Sequence, residues 1–374
     1  EIPLRLVGSE MCIRDREATD WLLIRGSAQT AFRAPNLVQV NQAQVARFGS
    51  RVDAVYQYIT ENNTTTASGM DKDSKYTIQR FAMGAEDLQS EESTNTSIGF
   101  VIQPSQLDGL TITYDAWKIE KDKTIGLFGR DNHTILDLAL LLENGTNNCD
   151  AFMGNTAVLR DTDELDDGVL GLFSTAGICP VGQAYRVVDE YINMAKRTLE
   201  GQDIGINYNL DTSLGNFRFR YNATFTDTFE QVPTGNFSTI ENAQASGAIP
   251  AYVNLKGFGD LLGIDGNYDE KHSMKLSWGK GPWGVSLSGL KKGNFIQSSL
   301  TLSDGTEYVV PSMTTMDAAV HYKFDLGGST ARLKFAVKNF NDERAPTADR
   351  FFGFFADAHQ DYGRNYYLSL KVDM

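Results

Sequence analysis

Runs in which every second residue is apolar recur along this chain, and the segments that join them alternate between short and long. Over 366–374 the apolar set is Tyr366, Leu368, Leu370, Val372 and Met374, interleaved with Tyr367, Ser369, Lys371 and Asp373. Leu333, Phe335 and Val337 alternate with Arg332, Lys334, Ala336 and Lys338, and Phe217, Phe219, Tyr221, Ala223 and Phe225 alternate with Arg218, Arg220, Asn222, Thr224 and Thr226. Because side chains on a strand point to opposite faces in turn, each run has one apolar and one polar face. The pattern predicts ten strands, over 20–31, 94–104, 109–120, 187–210, 215–231, 269–280, 282–297, 313–325, 330–341 and 363–374.

The connections carry the second half of the argument. Those at 104–108, 211–214, 281 and 325–329 are short and rich in Gly, Asp and Ser, as tight turns require. Those at 32–93, 121–186, 232–268, 298–312 and 342–362 are long. Long connections count against a compact soluble domain. Strict short–long alternation is what a membrane β-barrel shows. A soluble antiparallel sandwich with a buried apolar face is the competing reading. Strand length and Tyr or Trp at strand ends (Trp21, Trp283, Tyr322, Tyr366) favour the barrel.

Composition bears on what else the chain can be. Of 374 residues, 41% are hydrophobic, yet no apolar run reaches the roughly 18 residues of a membrane helix. A barrel escapes that test, since only alternate residues meet lipid. A net charge of −14 disfavours nucleic acid as a partner, which needs a basic face.

Residues 1–16 have neither the basic start nor the apolar middle of a signal peptide. Their core, SEMCIRDR over 9–16, resembles the translation of a sequencing-library adaptor. The segment 1–16 is therefore expected to be non-native and is set aside, leaving 17–374 as the barrel portion. A genuine short loop or strand is the other reading.

Among candidate chemical groups, Cys149 and Cys179 share the 121–186 connection. With Cys12 set aside the count is even, which suits a disulfide in an oxidising compartment. Such a closure contributes about 3 kcal/mol on the loop-entropy model. The acidic run 161–167 has oxygen ligands for Ca²⁺ but lacks the spacing of a helix–loop–helix calcium site, so a solvated loop is expected. The histidines, His133, His272, His321 and His359, are scattered; His321 falls on the polar face of its strand. The run 134–144 reads as a short apolar helix within a long connection, and 62–66 and 234–238 as polar loop tips. No phosphate loop, zinc spacing or nucleophile elbow is present, so no catalytic residue, metal or cofactor is expected.

Four motifs in order carry a family resemblance. GSAQTAFRAPNL at 26–37, with FRAPN at 32–36, is similar to a strand end and loop start of TonB-dependent outer-membrane receptors. GAEDL at 84–88 followed by EESTNTSIGF at 91–100 resembles the lead into that family's next strand. VKNFNDERAP at 337–346 and GRNYYLSLKV at 363–372 resemble its last two strands. Met374 departs from the aromatic residue with which such barrels usually end.

The resemblance implies a plugged, all-β antiparallel transmembrane barrel of about 22 strands. These would be its ten C-terminal strands, with the plug domain and coupling segment outside this sequence. It implies TonB-coupled uptake of a scarce ligand, such as a siderophore, vitamin or glycan, in the outer membrane of a Gram-negative bacterium. The partners would be the TonB complex, through the missing N-terminal part, a small extracellular ligand and outer-membrane lipid. Loops 32–93, 121–186 and 232–268 would hold the ligand, with Tyr56, Tyr58, Tyr76, Phe81, Phe128 and Tyr252 as candidate contacts. A passive, uncoupled channel is the alternative. An outer-membrane lipid hydrolase would need a Ser–His pair at the wall, and none is evident around His321 or His359.

Overall fold

Among the described residues eleven antiparallel strands form one wall, each hydrogen-bonded to the next wall strand along the chain. They are β1 (Glu10–Thr19), β2 (Leu22–Arg33), β3 (Glu91–Ile102), β4 (Leu110–Asp122), β5 (Arg197–Thr212), β6 (Gly215–Gln231), β7 (Glu270–Lys280), β8 (Trp283–Lys292), β9 (Met313–Leu326), β10 (Ser329–Lys338) and β11 (Asn365–Asp373). The computed structural model describes residues 10–61, 74–151, 154–302, 306–348 and 352–373. Residues 1–9, the loop tip 62–66 and Met374 lie outside the described residues.

The short–long alternation holds. Two-residue turns join β5 to β6, β7 to β8 and β9 to β10, all at one end of the wall. At the β9–β10 turn Gly327 and Gly328 both have positive φ, 64° and 87°. That is the type I′ geometry whose twist matches the flanking strands, and it strains any residue with a Cβ.

Three boundaries differ from the sequence expectation. The wall has eleven strands rather than ten, because Glu10–Thr19, part of it in the set-aside segment, pairs with β2 from Glu10↔Thr30 to Thr19↔Leu22. The expected strand 187–210 breaks after Met194. Its first part, Ala184–Met194, leaves the wall and pairs in parallel with Gln79–Met83 and antiparallel with Thr124–Leu127 and Val158–Arg160. The cause is burial, since Val187 and Asp189 turn into a packed core among the long loops. The expected strand 282–297 ends at Lys292, and Phe295–Thr301 forms a separate hairpin with Glu307–Val310 that buries Phe295.

Register sorts the wall into apolar and polar rows. One row across β5 to β11 reads Tyr208, Phe219, Leu276, Leu287, Ala318, Val337 and Tyr366; the next reads Leu210, Phe217, Trp278, Val285, Val320, Phe335 and Leu368. Many of these face outward unburied; Leu368 is 73% exposed and Phe335 44%. A band this wide is far beyond the apolar patch a soluble monomer tolerates, and it is what a lipid-facing wall requires. The other face carries rows such as Asn209, Arg218, Ser277, Ser286, Ala319, Ala336 and Tyr367. No helix among the described residues is long and apolar enough to cross a membrane.

Candidate functional site

The long connections at one end of the wall fold onto one another into a cap with its own core. Beyond the short α1 (Leu37–Asn41), helix α3 (Arg130–Asn144) covers the expected 134–144 helix and buries Ile135, Leu136, Leu138, Ala139 and Leu141. α2 (Ala54–Glu61) and α5 (Asn236–Ala245) pack against it and α4 (Asp167–Ala176) packs on α2, so helices from three different loops share one core. Phe237 meets Phe128 edge-on at 4.6 Å and Phe258 at 5.0 Å. Asp166, in the acidic run, caps α4 by accepting a 2.9 Å hydrogen bond from the Val169 N–H, and Gly177 closes the helix in the left-handed conformation.

Charged groups are buried within this cap. Arg160 donates to Asp53 from Nη1 and Nη2 (2.9 and 3.1 Å), to Asp137 from Nε (2.7 Å) and to the Gly182 carbonyl (2.7 Å). The Tyr76 hydroxyl and the Ala184 N–H also donate to Asp53. Burial works to raise the Asp53 carboxyl, but Arg160 and the donors around it hold the group below its ordinary value. Asp137, with fewer donors, is pushed up by burial. Nearby, the buried Asp189 accepts from Arg80 Nε (2.6 Å), and His133 Nε2 lies 3.3 Å away. Asn155 donates to His133 Nδ1 (3.1 Å), which leaves Nε2 to carry the proton towards Asp189. Cys149 and Cys179 are bonded, with Cα atoms 5.3 Å apart, tying the end of α3 to the segment after α4.

The six aromatic residues expected to contact ligand do not stand together. Tyr56 and Phe128 are buried in the cap core, at 5% and 3% exposure, so they are packing residues in this conformation. Tyr58 packs partly buried against the same core, and Tyr76 is engaged with Asp53. Apolar area drives these rings inward, which loop position alone does not reveal. Phe81 and Tyr252 reach the surface. Phe81 lies 4.5 Å beneath the Arg186 guanidinium, a cation–π geometry. Tyr252 is 42% exposed; burial and the neighbouring Glu61 raise its hydroxyl to about 12.

A cleft that the sequence did not reveal opens on the polar face at the long-loop end of β8 to β11. It encloses about 450 Å³ and is lined by Lys292, Asp317, Lys338, Tyr362, Asn365 and Tyr367, among others. Lys338 Nζ sits 5.1 Å from the Tyr367 ring centre. Asp317 accepts the Asn339 N–H at 2.8 Å. Behind it the buried His359 stacks on Phe295, and burial, then Lys292, push its pKa below the ordinary value. Ammonium, carboxylate, phenol and amide groups in one solvated cleft can bind a polar solute with ionic or aromatic character. Only register brings these residues together; their sole signal was the period-2 pattern that put Lys338 and Tyr367 on one face.

The remaining histidines serve separate neighbourhoods: His272 bonds Tyr221 and Glu270, and His321 lies across Gly284. Among the described residues no group of three or more His, Cys, Asp or Glu could hold a metal ion.

Residues 16–340 match the family model described as TonB dependent receptor-like, beta-barrel. The chain superposes on the siderophore receptor PirA from Acinetobacter baumannii with a TM-score of 0.55 at 15% identity, covering 97% of this chain and 40% of that one. The ferric enterobactin receptor PfeA from Pseudomonas aeruginosa gives 0.55 at 15% identity, covering 97% and 39%. The likeness is one of fold, and the chain spans about 40% of the length of those receptor chains. Among curated proteins no match is found.

Proposed function

This chain belongs to the TonB-dependent receptor family, whose barrels are transporters of the Gram-negative outer membrane and not enzymes, and on that premise we propose that the whole receptor takes up a scarce small ligand by TonB-coupled active transport. The observation that carries the reading is the cleft on the polar face, lying beside a cap held in one arrangement by a packed core, buried ion pairs and a disulfide. A passive pore needs no such built mouth, whereas a receptor must present groups in fixed places before the ligand arrives. Ligand would enter past the half-buried Phe81–Arg186 pair and the exposed Tyr252 and reach Lys292, Lys338 and Tyr367. Coupling to TonB would act through residues outside this chain.

Of a siderophore, a vitamin and a glycan, a ferric siderophore is the ligand we favour, because the structures that resemble this one include siderophore and ferric enterobactin receptors. The test is uptake of radio-iron from a panel of ferric siderophores by cells with and without the full gene, each with and without TonB. Saturable uptake that needs both supports the reading. Uptake that persists without TonB makes the protein a passive channel, and uptake indifferent to the gene removes the assignment.

A further inference from the structure

The outward face of the wall changes character along β3 to β5. On β3 Ile102, Phe100 and Ile98 are followed by Thr96, and on β4 Ile112, Tyr114 and Ala116 are followed by Lys118 and Glu120. On β5 Ile206 and Ile204 give way to Gln202 and Glu200. Register puts these residues on one face, with Phe100 opposite Tyr114, and Ala116 between Ile98 and Gln202. It is the face that carries Tyr208 and Phe219 of the apolar rows, so the change marks the long-loop border of the lipid-facing band.

At that border lies a recess of about 410 Å³, lined by Ile98, Tyr114, Ala116, Lys118, Gln202 and Asp227, among others. Ala116 opens it, because its methyl stands between the longer Tyr114 and Lys118 on the same face of β4. Towards the band the lining is apolar: Tyr114 stacks on Phe100 at 6.3 Å, and Ile98 is 57% exposed. Towards the long loops it is polar and ordered. The Tyr114 hydroxyl donates to Gln202 Oε1 at 2.9 Å, and Gln202 Nε2 donates to Asp227 Oδ2 at 2.9 Å. Asp227 is an extra residue on β6: Glu200 pairs with Thr228 and Gly201 with Thr226, which leaves Asp227 in a bulge that aims it at Gln202. Lys118 lies 2.9 Å from Glu200 and 3.4 Å from Glu120, so its ammonium is already answered. Strands of this chain stand on both sides, β2 beyond β3 and β7 beyond β6, so the lining is complete within it.

An amphiphile fits this shape. Acyl chains would lie over Ile98 and Phe100, continuous with the band, and a head group would meet Tyr114, Gln202 and Asp227. Those three residues sit on three successive strands, about 10 Å across at about 4.8 Å per strand. That is wider than a single phosphodiester and suits a saccharide head of about two rings. Gln202 gives one of its two amide protons to Asp227, whose carboxylate can accept further donors. Sugar hydroxyls both donate and accept, so they can engage every member of the chain. A bare phosphate only accepts, and it would face Asp227 and Glu200.

We propose that this recess is a specific site for one glycolipid of the outer leaflet, held by its sugar head at Tyr114, Gln202 and Asp227 and by its acyl chains at Ile98 and Phe100. The site goes beyond the uptake reading and does not depend on it, since it faces lipid rather than the cleft.

Native mass spectrometry of the detergent-purified full-length receptor tests it. The probe is diphosphorylated lipid A, and phosphatidylglycerol serves as a lipid with chains and phosphate but no sugar. Gln202→Leu removes the centre of the hydrogen-bonded chain, Ala116→Leu fills the recess, and Leu287→Phe enlarges an apolar residue of the band elsewhere. All three place apolar groups on the lipid face, and heat-modifiable migration checks that each barrel folds; one folded recess variant is enough to decide. The wild type should bind one lipid A at a concentration about tenfold below that needed for phosphatidylglycerol, as a pair of added hydrogen bonds provides. Gln202→Leu and Ala116→Leu should each weaken lipid A binding about tenfold and leave phosphatidylglycerol unchanged, and Leu287→Phe should alter neither. Equal binding of the two lipids by the wild type overturns the proposal. So does lipid A binding that a folded recess variant leaves intact, or that falls as far in Leu287→Phe. The uptake assay reads cells supplied with ferric siderophore, and this one reads purified receptor with lipid, so either reading can fail while the other stands.

Discussion

Arg160 and Asp53, 107 residues apart, meet in a paired-fork contact at 2.9 and 3.1 Å, with the carboxylate wholly out of water and the guanidinium nearly so. Asp137 on α3 takes a third guanidinium N–H. One side chain thus joins the first long loop to the second, and the geometry is satisfied at every partner. Removing it would leave two carboxyl groups buried without their cation. The variant Arg160→Met should therefore loosen the cap by about 3–5 kcal/mol while the wall stays folded. Protease cleavage of the loops on intact cells should rise sharply, with barrel migration unchanged. Adding Asp53→Asn and Asp137→Asn should recover much of the loss, because the desolvated charges then disappear together. Cap cleavage equal to wild type in Arg160→Met would refute the assignment.

The disulfide is predicted to restrain the same cap from its far side. Cys149 and Cys179 are 30 residues apart, so a reduced cap should lose about 3 kcal/mol on the loop-closure model. Thiol labelling of intact cells without reductant should find neither cysteine, and both after reduction. The Cys149→Ser variant should show increased loop proteolysis. Two labelled cysteines before reduction would remove the bridge from the account.

Gly284 supplies a prediction about the wall. A Cβ built there would lie 2.1 Å from the His321 ring, which crosses the strand at that point. Gly284→Val should therefore impair insertion and lower the heat-modified transition of the barrel. Replacing His321 with Ala in the same chain should restore most of it, since the clash is with that ring. Failure of the second substitution to rescue would mean that the backbone, not the ring, is what the glycine accommodates.

The wall was legible in the sequence and the cap was not, for a physical reason that individual residues display. Leu368, Leu370 and Val372 alternate with polar neighbours because lipid lies on one side of β11 and a polar interior on the other, so the environment is written into adjacent positions. Val187 and Asp189 alternate with Arg186 and Val188 just as regularly, yet they face the cap core. Period alone cannot say which core a strand serves, and the expected strand 187–210 ran past the break for that reason. Tyr56 and Phe128 resembled ligand contacts because they are aromatic and lie in loops. Loops that bury α2 to α5 against one another have an interior, and aromatic rings fill it. The cleft at Lys338 and Tyr367 needed four strands in register, a long-range relation that local pattern does not contain.

Acid should open the last long loop, 339–364, as it protonates Asp361. Arg344 donates from Nε to Asp361 Oδ1 at 2.7 Å, a second guanidinium N–H reaches Oδ2, and the Ala345 N–H adds a bond at 2.9 Å. The Arg344 hydrogen bonds, then that backbone N–H, hold the Asp361 carboxyl at about 2, below its ordinary 3.8. A carboxyl depressed on folding binds its proton more tightly in the unfolded loop. Its contribution is complete above the unfolded value of 3.8 and disappears as pH falls through about 2. Pepsin cleavage within 339–364 should thus increase between about pH 4 and pH 2 in the wild-type receptor. Asp361→Asn cannot titrate, so its cleavage should be elevated at the upper end of that range and change little across it. A wild-type loop equally resistant at both ends would show that the Arg344–Asp361 contact does not hold it.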